Sequence, residues 1–165
     1  MEIINTRVDE RLVHGMVATF WIPRLHVDRV ICVDDKSAED QLVKNALRMA
    51  TPKEVRLSVI SLDKMLANVK ENKYGSEKVM IVAKNPSVIQ SLLQHGVPIS
   101  EVTFGNLGII HKIDQSISVN NYLSVTEEDI ASIEQLHSSG CKLTIQLIPD
   151  DIPTDFYHTM KEKIH

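Results

Sequence analysis

Two unbroken apolar runs constrain this chain most: R-V-I-C-V at Arg29–Val33, and K-V-M-I-V-A-K at residues 78–84. Apolar runs this short, without polar alternation, are what strands buried on both faces look like. Stretches with helical spacing separate them, and the rhythm holds along the chain. Strands are expected at residues 1–6, 29–33, 55–61, 78–84, 102–104 and 141–148. Helices are expected between them. The first opens at Gly15 and must end or kink near Pro23. The second is capped by Ser37 and turns Leu42, Val43, Ala46, Leu47 and Ala50 to one inward face before Thr51-Pro52. A third spans residues 62–73, and a fourth starts at Asn85-Pro86-Ser87 and closes at His95-Gly96. Thr126-Glu127-Glu128-Asp129 is a capping signature for a fifth, which Gly140 ends. Pro153 to Ile164 reads as a short terminal helix. Only residues 109–123 break the pattern, and I-S-V-N there reads as an extra strand or a hairpin arm.

Strand and helix in alternation predict the fold class: an α/β, open, mainly parallel β-sheet with helices on both faces, three layers deep. No linker or repeat divides the 165 residues, so one domain, residues 1–165, is expected. A net charge of −4, with no basic tract, argues against nucleic acid as a partner. No signal pattern opens the chain and no apolar run is long enough to span a bilayer, so a soluble, cytoplasmic protein is expected. Cys32 and Cys141 lie in apolar runs and read as small buried residues in a reducing compartment.

The densest chemistry lies in R-V-D-E-R-L-V-H-G-M-V, residues 7–17. A histidine between a strand end and a helix start sits where helical N–H groups lack partners and the dipole is positive. That place suits a phosphate. His14 is therefore a candidate phosphoryl acceptor, with Arg7 or Arg11 neutralising charge. The bland alternative is a solvated loop histidine. Asp34 and Asp35, at the end of the second strand, read as helix N-terminal charge, and Lys84 as a solvated lysine. Gly105, Asn106 and Gly108 offer either a phosphate-approaching backbone or an ordinary turn. His26, His95, His111, His137, His158 and His165 show no metal-ligand spacing, so no metal is expected. Nucleotide loops are absent too, and no cofactor is expected.

The run R-V-D-E-R-L-V-H-G resembles the N-terminal signature R-x-D-x-R-L-x-H-G-Q-V of mannose/sorbose-type IIB proteins of the bacterial sugar phosphotransferase system. Arg7, Asp9, Arg11, Leu12, His14, Gly15 and Val17 match it, as does Trp21 downstream. Met16 departs from it, standing where the family usually has glutamine. Gly105-Asn106-Leu107-Gly108 is similar to the family's N-x-G-G-type segment, with Ile109 replacing one glycine.

The resemblance implies an open α/β fold and a phosphotransferase that accepts a phosphoryl group on His14, at Nδ1 in the family. The donor it implies is a IIA protein or domain. The acceptor is a sugar held by the membrane subunits IIC and IID, with which the chain would associate peripherally. Arg11 and Arg7 would stabilise the phosphoryl oxygens, while Asp9, Gly15, Met16, Asn106 and Gly108 would bind phosphate or position the loop. Asp9 orients either an arginine or a ring N–H of His14. A second reading is a non-catalytic regulatory or interaction module of the same fold, which Met16 and Ile109 allow. The sugar and a possible homodimer stay open, because periodicity alone locates no apolar edge.

Overall fold

The computed structural model describes residues 1–110 and 113–164; His111 and His165 lie outside them. Six parallel strands form the sheet: β1 (Glu2–Val8), β2 (Arg29–Val33), β3 (Arg56–Ile60), β4 (Lys78–Ala83), β5 (Glu101–Phe104) and, later in the chain, β8 (Lys142–Ile145). A two-residue edge strand, β9 (Thr154–Asp155), joins β8 antiparallel. The order is β3-β2-β4-β1-β5-β8-β9, so β1 is central. The irregular stretch supplies a separate antiparallel hairpin, β6 (Ile117–Asn120) with β7 (Leu123–Val125).

Helices cover both faces, in two apolar clusters. One face is packed by the first helical segment, a π-turn at Val17–Trp21 that runs into α1 (Ile22–Leu25), and by α3 (Gln41–Ala50), which follows the short α2 (Asp35–Glu39). They meet Val30, Cys32, Met80 and Val82. The opposite face is packed by α4 (Leu62–Lys70), α5 (Pro86–Gln94), α6 (Glu127–Ser138) and α7 (Phe156–Ile164), through Met65, Ile89, Leu92, Ile133, Leu136 and Phe156. Adjacent residues of β2 and β4 thus feed opposite layers, as the two-residue period of a strand requires. The connection leaving β1 runs on one face and that leaving β4 on the other. The switch in direction falls beside β1, and a crevice opens there at the carboxyl ends of the strands.

Local differences from the sequence expectation have identifiable causes. The first helix continues through Pro23 to Leu25, because the chain before it is π-turned: Ile22 N–H bonds to Val17 O. The ring's missing donor then interrupts no regular α-helical ladder. Ser37 is not the cap of a long second helix. Asp34 caps α2, accepting from Ser37 N at 2.9 Å, and Asp40 caps a separate α3. Within α3 only Leu47 is buried and Val43 partly so; Leu42, Ala46 and Ala50 face solvent. The apolar stripe is wider than the part of it that reaches the sheet. The third expected helix stops at Lys70. Lys84 is not simply solvated, since its Nζ lies 2.9 Å from Asp34 Oδ2. Burial opposes ionisation of Asp34, but hydrogen bonds from Ser37 and Lys84 outweigh it and hold the carboxyl below its usual range. Asp35 Oδ1 accepts from Leu62 N at 2.9 Å, at the start of α4. Thr126 and Asp129 form the expected capping box. Both cysteines are free and buried, and burial pushes the Cys32 thiol up to about 12.

Candidate functional site

β1 delivers Arg7 and, one residue past its end, Asp9 into the crevice; both are fully buried. The chain then turns sharply. Leu12 N bonds to Asp9 O at 2.9 Å, and Leu12 takes a left-handed φ of 58°. This fold-back brings His14 over Asp9, with Nε2 3.0 Å from Asp9 Oδ2. The same oxygen accepts from Arg7 Nε at 3.2 Å, and Asp9 Oδ1 accepts from Arg11 N at 3.2 Å. Asp9 is acceptor-only when ionised, so it fixes the imidazole tautomer with the proton on Nε2. Nδ1 keeps its lone pair.

Arg7 is placed differently from the expectation that it faces phosphoryl oxygens. Its guanidinium donates to Gln146 O at 2.9 Å and Leu147 O at 3.4 Å, and lies 4.9 Å from the Trp21 ring centroid. Trp21 Nε1 donates to Leu147 O at 2.7 Å, closing the enclosure. Burial lowers the Arg7 pKa from its ordinary value, and the charge of Asp9 works against that. Arginine nonetheless stays protonated in the physiological range. A buried cation of this kind requires its anion, so Arg7 and Asp9 hold each other in place.

Gly105 makes the enclosure possible. A Cβ there would fall on the Arg7 guanidinium and 2.6 Å from Asp9 Oδ2. Asn106 is 8% exposed, and its carbonyl accepts from Glu10 N at 3.0 Å. Gly108 adopts φ +68°, with Ser124 O only 2.5 Å from where a Cβ would stand. Glu10 Oε1 accepts from Ile109 N and Ile110 N at 2.9 and 2.8 Å, tying this turn to the histidine loop. Arg11, Gly15 and Met16 are exposed beside His14, whose side chain is 16% exposed. The structure therefore brings Arg7, Asp9, His14 and the Asn106 turn together, and leaves Arg11 and Met16 at the rim.

Sequence reasoning missed Glu10, the packing role of Gly105, and the Gln146-Leu147 segment. The last contributes backbone carbonyls only, which no residue type announces. Among the described residues, no group of three or more His, Cys, Asp or Glu side chains is placed to hold a metal ion. No described helix is long and apolar enough to cross a membrane.

An open parallel sheet with a carboxylate-held imidazole at its carboxyl edge places the chain among the α/β proteins. The family model described as PTS system sorbose subfamily IIB component matches residues 3–165, and the chain belongs to that family. It is a IIB component of the sugar phosphotransferase system, and a phosphotransferase. It is 34% identical over 161 residues to the fructose-specific EIIB component of Bacillus subtilis (strain 168), covering 98% of this chain and 97% of that one. It is also 34% identical over 151 residues to the mannose-specific EIIAB component of Escherichia coli (strain K12), covering 92% of this chain and 46% of that one. The crystal structure of the IIBSor domain of the sorbose permease from Klebsiella pneumoniae superposes with a TM-score of 0.91 at 26% identity, covering 98% of each chain. The regulatory alternative is not favoured: Met16 departs from the usual glutamine, yet the Asp9–His14 pair is intact.

Proposed function

We propose that His14 Nδ1 is the phosphoryl acceptor, loaded by a phosphohistidine on a IIA protein or domain and discharged to a sugar held by the membrane subunits IIC and IID. The observation that carries this is the 3.0 Å contact between His14 Nε2 and Asp9 Oδ2. The neutral imidazole, protonated at Nε2, attacks phosphorus in line with the donor's P–N bond. That bond breaks as the new P–N bond to Nδ1 forms, and the donor imidazole leaves neutral. His14 becomes a phosphoimidazolium that keeps its Nε2 proton, and the Asp9 carboxylate stabilises the positive charge. No proton needs to move.

Arg7 acts through Asp9, as the buried cation that holds the carboxylate in place. Arg11 and the N–H groups of the helix beginning at Gly15 are the groups left to meet the phosphoryl oxygens. Met16, Asn106 and Gly108 position the loops around them. The EIIAB name of the Escherichia coli relative, which joins an A to a B component, supports a IIA donor. A cytoplasmic protein that visits its membrane partners peripherally fits this relay, with residues 1–165 acting as one domain. A homodimer is not required by the chemistry, because His14, Asp9 and Arg7 belong to one chain.

The test is intact-mass analysis after incubation with phosphoenolpyruvate, enzyme I, the phosphocarrier HPr and a mannose-type IIA, with His14→Ala in parallel. An acid-labile gain of one phosphoryl group, absent from the variant, is expected. Labelling that survives His14→Ala would refute the assignment.

A further inference from the structure

The helix that begins after His14 buries Val17, Trp21 and Ile22 and turns a second stripe outward: Gly15, Met16, Thr19, Phe20, Pro23 and Arg24. Phe20 is 46% exposed and Met16 36%, one helical turn apart. The stripe carries no acidic side chain, and Arg11 and Arg24 stand at its two ends. Met16 is two residues and Phe20 six residues past His14, on the helix that leaves the site. We infer that Met16 and Phe20 form an apolar docking patch for the phosphoryl-donor protein, setting which donor can load His14.

The inference rests on the reading of His14 as acceptor and extends it. Continuity with the transfer site selects the occupant. A donor histidine must come within bonding distance of His14 Nδ1, so the donor's surface has to cover the first turns of this helix while transfer occurs. An aromatic and a methionine in that footprint are the residue types that carry interface energy at low ordering cost. Arg11 and Arg24 at the ends call for acidic groups at the rim of the donor. Arg24 is 3.8 Å from Asp150, a loose surface pair that a partner carboxylate can displace. A side chain at position 16 then reads the donor: methionine takes an apolar contact, where an amide asks for a hydrogen-bonding one.

Two donors separate docking from chemistry. Phosphoramidate is a small phosphoryl donor and needs no protein surface; a phosphorylated mannose-type IIA needs the patch. Phe20→Gln is expected to label from phosphoramidate at the wild-type rate. Its KM for phospho-IIA should rise on the order of tenfold, with kcat within about twofold. Phe20→Leu should restore most of the loss. An unchanged KM for Phe20→Gln overturns the docking patch, and so does a wild-type protein that labels from phosphoramidate but from no IIA. A wild-type protein that neither donor labels removes the acceptor reading instead.

Discussion

Asp9 Oδ2 stands between an imidazole and a guanidinium, 3.0 Å from His14 Nε2 and 3.2 Å from Arg7 Nε. One carboxylate oxygen thereby joins a buried, permanently charged guanidinium to the largely buried His14 ring. The arrangement sets the imidazole tautomer and, on the proposed acceptor role of His14, supplies a counter-charge for the phosphorylated ring.

Asp9→Asn should separate these duties. The amide keeps the shape but leaves Arg7 buried without its anion, so stability should fall by about 3 kcal/mol. Phosphorylation of His14 should slow on the order of 10²-fold, as for loss of a placed electrostatic group. Denaturant melts together with a labelling time course check both. A wild-type labelling rate would remove Asp9 from the chemistry.

Gly105→Ala tests the enclosure from its other wall. The new methyl overlaps the Arg7 guanidinium and crowds Asp9, so the pair must shift. A loss of about 1–3 kcal/mol is expected, the range for overpacking a filled interior, with slower labelling of His14. If the variant labels and melts like the wild type, the dyad does not depend on this close approach.

Arg11→Ala addresses the rim. Its side chain is exposed beside His14 and its backbone N–H alone is tied to Asp9, so the fold should be untouched. Transfer from phospho-IIA should slow on the order of 10²-fold, as for removal of a donor aimed at developing charge. Stopped labelling assays decide it, and an unaltered rate assigns the phosphoryl oxygens to the backbone alone.

Acid should loosen the opposite edge of the sheet. Arg29 hydrogen-bonds Glu77 at 2.7 Å and Arg56 reaches it at 3.1 Å, holding its carboxyl below the ordinary 4.5. A depressed carboxylate stabilises the fold fully above its unfolded value and loses that contribution as pH falls from about 4.5 through the lower folded value. Melting temperature followed from pH 7 to pH 3 should therefore fall less steeply in Glu77→Gln, which starts from lower stability at pH 7. Parallel curves for the two proteins would show that this cluster carries none of the acid sensitivity.

The architecture was legible in the chain itself. Runs such as V-M-I-V-A have no polar position to show to water, which commits them to a sheet covered on both sides. The spacing around His14 set a charged loop between a strand and a helix. What tertiary structure decided was the division of labour. Arg7 and Arg11 look alike in the chain, four residues apart, yet β1 carries Arg7 under Trp21 while the left-handed turn at Leu12 leaves Arg11 outside. The outward apolar stripe on α3 was equally hidden, because periodicity reports how wide an apolar face is and not how much of it the sheet can reach. The carbonyls of Gln146 and Leu147 bind Arg7 from 139 and 140 residues away. Backbone groups have no letter in a sequence, and only the folding of β8 beside β5 brings them to the site.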